Sequence, residues 1–273
     1  MSKSAPALPT HNARALPIKR VSETLLAIWP NILGFALLFA VWHIASVYIV
    51  QSVLFPTPLA MLSKAVELAK SGVLFEHIAA SLQRIVIGFT LGSMVAIPIG
   101  LAIGSFTIVR KLVEPWTEFL RFIPAVAMIT IAVIWFGIGE ESKIFLIIYA
   151  TIFIVILNTA AGVSSISPNK IRAARALGAR SWQIFFFVSL PATIPYILTG
   201  MRLAMGNSFT AIVTAEMVSA NEGLGVMLWN GRMFMQVEDI FVALFCLGLL
   251  GFTVDRLFRW AIFKFAGRFS PTA

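Results

Sequence analysis

The sequence is poor in charged residues, cysteine and histidine. Asp, Glu, Lys and Arg make up 12% of its 273 residues, about half the share in a soluble domain. This excludes a protein whose whole surface faces water. A single cysteine excludes an internal disulfide. The chain has no His-Glu-x-x-His pair, no Gly-x-Ser-x-Gly elbow and no Gly-x-x-x-x-Gly-Lys-[Ser/Thr] loop. We therefore predict no catalytic residue, no metal site and no ATP site in this chain, and an intramembrane enzyme finds no support.

Long apolar runs take the place of the missing charge. Hydrophobic residues make up 59% of the chain, and a helix needs about 20 of them in succession to cross a bilayer. Six runs qualify, at residues 27–50, 85–106, 119–136, 144–166, 196–218 and 240–263. The sequence therefore predicts an all-α integral membrane protein of about six transmembrane helices. Its membrane domain covers 27–268, between tails at 1–26 and 269–273.

The net charge of +9 comes from basic residues at the ends of the apolar runs. This position is typical of topology signals and not of a nucleic-acid-binding face, because lysine and arginine favour cytoplasmic loops. With the N-terminus inside, 15 of the 21 basic residues fall on the cytoplasmic side and five fall outside. We therefore expect both termini in the cytoplasm and no nucleic-acid partner.

Four glycines in the second run predict close helix packing. Gly88 and Gly92 form one small-xxx-small pair, and Gly100 and Gly104 form another. On an ideal helix of 100° per residue, the two pairs point to different sides. We therefore expect a helix packed between two neighbours.

The cytoplasmic connection at 167–191 carries the clearest motif. Ser167 can cap a helix that has Pro168 at its first position, and Gly178 suits the left-handed residue that ends it. Ser181 can cap a second helix. The first helix would have about ten residues, too few to persist alone in water.

That short basic helix carries Ala173, Ala174 and Leu177. Small and apolar side chains on a cytoplasmic loop favour docking into a groove of a partner.

The spacing of this connection resembles that of binding-protein-dependent importer permeases. In that family a Glu-Ala-Ala triplet is followed by three residues, a glycine, nine residues and Ile-x-Leu-Pro. This chain has RAA at 172–174, then Gly178, and VSLP at 188–191, with every spacing kept. Arg172 replaces the glutamate, which puts a salt bridge there in doubt but not the docking role. The residues that the resemblance assigns to ATPase coupling are Arg172, Ala173, Ala174, Leu177, Gly178, Leu190 and Pro191.

From about residue 54 onward the chain is similar to permeases for sulfonates, taurine and related small anions. The segments that carry this similarity are WFGIGEESK at 135–143, LTGMRL at 198–203, AEM at 215–217 and GLG at 223–225. The resemblance implies the type I ABC importer transmembrane fold in a bacterial inner membrane. It also implies a homodimer that works with two ABC ATPase subunits, which bind ATP and Mg, and with a solute-binding protein.

The expected cargo is a sulfonate or taurine. Nitrate, bicarbonate, aromatic acids and vitamin precursors are alternatives. A secondary transporter or channel is the alternative of a different class. It would often show an inverted repeat or coupling acids inside the membrane, and the sequence shows no repeat and only Glu216 as such an acid.

Polar residues inside the apolar runs are candidates for the translocation pathway, because they are costly in lipid. Arg202 and Glu216 lie 14 positions, about 21 Å, apart along one helix and cannot pair with each other there. Arg202 either attracts an anion or reaches to the inner interface, and Glu216 is either a structural partner or a gate. The full set is Asn158, Arg202, Asn207, Ser208, Thr210 and Glu216.

Overall fold

The computed structural model describes residues 18–266, and all regular structure in that range is helical. The helices are α1 (Ile18–Ile44), α2 (Pro58–Lys70), α3 (Val73–Ser105), α4 (Thr107–Arg121), α5 (Ile129–Phe136), α6 (Glu140–Ser164), α7 (Pro168–Ala176), α8 (Ser181–Ile184), α9 (Leu190–Ser219), α10 (Leu224–Met233) and α11 (Val237–Ala266). Two segments are π-helical: Ala45–Val50 extends α1, and Phe185–Ser189 joins α8 to α9. A 3₁₀ segment, Ala125–Met128, precedes α5.

The N-terminal unit of the chain ends at Pro58. Its helix α1 begins at Ile18, inside the stretch 1–26 that was predicted as a tail. The segment Leu33–Val50 is long and apolar enough to cross a membrane, as expected. The rest of the two predicted tails, 1–17 and 267–273, lies outside the described residues.

The second unit is built on α3, α6 and α9. Helices α3 and α6 run parallel, since Gly88 lies against Ile147 and Gly104 against Val163. Helix α9 runs antiparallel to α6, since Gly200 packs on Asn158. Buried apolar side chains fill the space between the three helices; among them are Ile85, Val155, Ile156, Ala204 and Ile212.

The parallel course of α3 and α6 requires the chain between them to return to the end where α3 began. The pair α4 and α5 makes this return with a bend of 93°. The predicted continuous helix at 119–136 is therefore wrong. Pro124 lacks an N–H and disfavours a helical conformation at Ile123, so the helix breaks there. With this bent pair taken as one span, the described residues hold six candidate spans, and five without it.

The prediction that the two glycine pairs of α3 face different neighbours is also wrong, because both pairs face α6. A Cβ added at Gly88 would lie 2.6 Å from Ile147 Cβ, and one at Gly100 would lie 2.6 Å from Thr159 Cβ. The projection treated the two pairs separately, whereas residues 88, 92, 96, 100 and 104 form one row at a spacing of four, with Ala96 fully buried between the pairs. Such a row is inclined to the helix axis, and a neighbouring helix that crosses at an angle can follow it. The absence of side chains along this seam is what brings α3 and α6 together.

Candidate functional site

The connection between α6 and α9 forms a short exposed helix. Helix α7 begins at Pro168 with Ser167 in the N-cap position, as predicted, although the Ser167 side chain makes no capping hydrogen bond. No residue of α7 is buried, and Leu177, directly after it, is 89% exposed. The described part of the chain thus leaves both this helix and Leu177 largely uncovered.

Gly178 ends this helix in the left-handed conformation, with φ +80°. The Gly178 N–H donates to the Arg175 carbonyl at 2.9 Å, and the Ala179 N–H donates to the Ala174 carbonyl at 3.1 Å. These bonds satisfy carbonyls that a helix end leaves free. The chain thereby reverses toward α8, as predicted for Gly178.

The segment after Gly178 differs from the prediction at Ser181. Arg180 takes the N-cap position of α8, and its backbone N–H donates to Gln183 Oε1 at 2.8 Å, so Ser181 is the first helical residue and not the cap. Further on, Leu190 and Pro191 continue the helical course of the chain. The π-helical segment Phe185–Ser189 joins α8 to α9, and its wider turn accommodates the missing N–H of Pro191.

The residues predicted to couple to an ATPase lie in two groups. Arg172, Ala173, Ala174, Leu177 and Gly178 belong to α7 and its end, and the Arg172 guanidinium donates to Asn169 Oδ1 at 2.7 Å. Leu190 and Pro191 open α9. A hollow of about 330 Å³ lies beside the end of α7, and its walls are Leu177, Gly178, Ala179, Gln183, Ile184, Phe187 and Val188.

A second hollow, of about 460 Å³, lies beside the break between α4 and α5. Residues 121–126 of the break form one wall, and α6 and α9 form the others. The Tyr149 hydroxyl donates to the Leu120 carbonyl at 2.7 Å, which satisfies an acceptor that the end of α4 leaves free. We call this space the break cavity.

Two of the six pathway candidates, Asn207 and Thr210, line the break cavity. The Asn207 Nδ2 donates to the Ala150 carbonyl at 2.9 Å. Asn207 and Thr210 lie three positions apart on α9 and so share a face.

The other pathway candidates make hydrogen bonds or ion pairs with residues of the same chain. Asn158 Nδ2 donates to the Ile154 carbonyl at 2.8 Å, and Ser208 Oγ lies 3.0 Å from Thr151 Oγ1. Arg202 Nε donates to Asp255 Oδ1 on α11 at 2.7 Å. Both members of that ion pair are partly exposed.

Glu216 lies at the opposite end of the bundle from α7, and its side chain is fully buried. Its carboxylate accepts from Ser81 Oγ at 2.9 Å, from Arg84 Nη1 at 2.7 Å and from the Gly225 N–H at 2.9 Å. Gly223, with φ +132°, passes so close that an added Cβ would collide with this carboxylate.

Arg84 is the hub of this cluster. Its Nε and Nη2 donate to Glu140 at 2.6 and 2.9 Å, and its Nη1 also donates to the Glu222 carbonyl at 2.6 Å. The Gly223 N–H donates to His77 Nδ1 at 2.9 Å. We call Ser81, Arg84, Glu140, Glu216 and the 222–225 backbone the charged cluster, because it ties α3, α6 and α9 together.

Sequence reasoning did not identify Arg84, Ser81 or Glu140 as functional candidates. One signal was present: residues 77, 81, 84 and 88 recur at helical spacing on one face of α3, so the polar side chains continue the packed glycine face. Their partners on α6 and α9 could not be read from spacing.

Residues 88–266 match the family described as the binding-protein-dependent transport system inner membrane component. The chain belongs to this family. Over 241 residues this permease is 38% identical to a probable ABC transporter permease protein of Brucella melitensis biotype 1, with 88% of this chain and 97% of that protein covered. Over 219 residues it is 34% identical to the taurine transport system permease protein TauC of Escherichia coli K12, with 78% and 80% covered.

The fold has a solved counterpart. A chain of the methionine ABC transporter MetNI, in an inward-facing conformation, superposes with a TM-score of 0.63 at 17% identity and covers 74% of this chain and 99% of its own. The expected family and the type I importer fold are confirmed. The chain is thus a membrane-spanning permease subunit of an ABC importer and not an enzyme, since ATP hydrolysis in this family belongs to a separate subunit.

Proposed function

We propose that this permease imports a small anionic solute, a sulfonate of the taurine class, across the bacterial inner membrane. Similarity to the taurine permease supports the cargo. Two copies of the chain would work with two ATPase subunits, which bind ATP and Mg, and with a solute-binding protein on the outer side. The observation that carries the proposal is the exposed helix α7, with Leu177 left in water at its end.

Helix α7 is the proposed contact with the ATPase. It has no fully buried residue, so the rest of the described chain packs against it only in part, and a helix of nine residues is marginal without packing. Ala173 and Ala174 permit close approach, and Leu177 would enter an apolar site on the ATPase. The hollow beside Gly178 would receive a side chain of the ATPase in return.

A second copy is proposed because one copy encloses the break cavity only in part. A solute pathway through a bilayer needs a wall on every side, since lipid cannot line a polar route. The cavity walls from α4, α6 and α9 would face the same walls of the partner copy. Asn207 and Thr210 are the pathway candidates that this arrangement favours.

Reconstitution tests the proposal directly. The permease is purified with its ATPase and binding protein, placed in proteoliposomes, and supplied with ATP and radiolabelled taurine. We expect ATP-dependent accumulation that needs the binding protein, and no ATP hydrolysis by the permease alone. Failure of any ATPase to co-purify would contradict the coupling proposal, while uptake of nitrate in place of taurine would correct the cargo alone.

Orientation has its own test. We propose that α7 and the C-terminal end of α11 are cytoplasmic, on the count of basic residues. On a Cys246→Ser background, Ser71→Cys should react with an impermeant thiol reagent in intact cells and Asn169→Cys should not, because they lie at opposite ends of the bundle. Reaction at Asn169→Cys in intact cells would reverse the orientation.

A further inference from the structure

We propose that Arg121 supplies a positive charge to the break cavity and there binds the oxyanion group of the passing solute. This inference rests on the proposed function, since it assigns a solute contact within the proposed pathway. Basic-residue counting places Arg121 in a cytoplasmic loop, and nothing in its sequence context indicates a binding role.

Arg121 borders the middle of the bundle and not its end. It lines the break cavity together with Ala150, Ile154 and Leu157. These residues follow Glu140, the first residue of α6, by 10 to 17 positions in a helix of 25 residues. At 1.5 Å per residue they lie roughly 15–25 Å from that end of the helix. A cation beside them is therefore a cation at membrane depth, which by default indicates function.

Three other cations on the spanning helices of the described chain are neutralised. Arg84 donates to Glu216 at 2.7 Å, Lys143 donates to Glu140 at 2.8 Å, and Arg202 donates to Asp255 at 2.7 Å. Each of these cations thus has a carboxylate at hydrogen-bonding distance.

Arg121 has a weaker partner among the described residues. Its ion pair is with Glu118 of the same helix, at 4.0 Å and with the Glu118 side chain 56% exposed, which is beyond hydrogen-bonding distance. Its guanidinium lies 4.7 Å from the centre of the Phe122 ring. Among the described residues, Arg121 is also the only charged residue in the wall of the break cavity. A long, exposed ion pair contributes little, so an oxyanion can compete for the N–H groups of Arg121.

The chemistry of the wall fits a small sulfonate. A guanidinium offers a planar fork of N–H donors that matches the oxygens of an oxyanion. Thr210 adds a hydroxyl, and Asn207, whose Nδ2 is used by Ala150, retains Oδ1 as an acceptor for an ammonium such as that of taurine. A single cation with only a long, exposed ion pair gives attraction without tight binding, as a pathway requires. It also disfavours cationic solutes.

Charge-selective labelling tests this site whatever the natural cargo is. On the Cys246→Ser background, Thr210→Cys in the assembled importer is reacted with two methanethiosulfonates of similar size. One is anionic, 2-sulfonatoethyl, and the other is cationic, 2-(trimethylammonio)ethyl. We expect Arg121→Gln to lower the anionic-to-cationic rate ratio on the order of tenfold, because it removes a nearby charge in a medium of low permittivity.

Lys111→Gln is the matched control. It removes the same charge from the same helix at an exposed position outside the cavity wall. Its rate ratio should stay within about twofold of the parent value, because an exposed distant charge is screened. An equal drop in both variants, or no drop in Arg121→Gln, overturns the site.

A second measurement needs no change at Arg121 and covers the case in which that variant fails to assemble. Millimolar ethanesulfonate should slow the labelling of Thr210→Cys, and equimolar choline should not. Absence of protection, or a Thr210→Cys that reacts with neither reagent, overturns the inference. A failed proposed function would show differently, as loss of ATPase binding or of taurine uptake in the parent importer while the labelling pattern stands.

Discussion

The two ends of the helical bundle treat their polar and apolar groups in opposite ways. In the charged cluster, Arg84 makes four hydrogen bonds, to Glu140, Glu216 and the Glu222 carbonyl, and is 7% exposed. At the other end, α7 has no buried residue, and Leu177 is 89% exposed. Within the described residues, the charged groups of the first end are hydrogen-bonded to one another, whereas α7 at the second end is largely uncovered.

The contrast separates scaffold from interface. A buried charge is tolerated only when it is paired and hydrogen-bonded, so the charged cluster fixes three helices in one arrangement. A helix of nine residues is marginal without packing, so α7 with its exposed Leu177 fits the proposed contact with another subunit. Polar character in a membrane helix therefore does not by itself mark the pathway, and Glu216 illustrates the point.

The largest effect is expected from breaking the charged cluster. Glu216→Gln leaves Arg84 and Lys143 to share the single carboxylate of Glu140, and loss of one partner of a buried pair costs about 3–5 kcal/mol. The melting temperature of the purified permease should fall strongly and its yield should drop.

Glu67→Gln is the control, because Glu67 is an exposed partner of Lys64 and an exposed pair contributes only about 0–1 kcal/mol. Equal stability of the two variants would show that the cluster is not a scaffold. A change of cargo with normal stability would instead make Glu216 a pathway residue.

The next effect concerns α7. Gly178→Val forces a β-branched side chain into a left-handed backbone, at about 1 kcal/mol or more, and Ala174→Trp adds bulk to the proposed docking face. Both variants should insert normally but lose ATPase in a pull-down, and uptake should fall with it.

Gly72→Val is a matched control for the backbone strain. Its φ is +84° and the space around it is open, as at Gly178, but it lies at the other end of the bundle. It should retain ATPase binding. Wild-type binding and uptake in both α7 variants would remove the main physical support for the coupling role.

The smallest effect is expected from the ion pair between Arg202 and Asp255. Its members are 46% and 31% exposed, and such a pair contributes about 1 kcal/mol or less. Arg202→Gln should shift the melting temperature slightly and leave uptake near the parent value. A loss as large as that of Glu216→Gln would place this pair with the scaffold, and a selective loss of anion uptake would return Arg202 to the pathway.

The sequence predictions are correct at positions where a single residue type determines the backbone conformation. Pro168 at the start of α7 and the left-handed Gly178 at its end are both confirmed, because proline and glycine act through their own dihedral angles. Other prolines depend on their surroundings. Pro191 is carried within a continuous helical course by a π-helical turn, whereas Pro124 breaks a run that had been predicted as one span. The same residue type thus has different outcomes according to what packs around it.

Composition and apolar runs were sufficient for the membrane class, and motif spacing for the family, because both properties are written along the chain. The pairing of Arg84 with Glu216 is different, since it joins residues 132 positions apart, and no local pattern encodes such a distance. The same holds for Arg121, whose only ion pair among the described residues is long and exposed, because the bend of 93° decides which side chains come near it. Charge is a property of the sequence, but whether a charge is neutralised is decided by tertiary packing, because electrostatic energy in a medium of low permittivity depends on distances that only the fold sets.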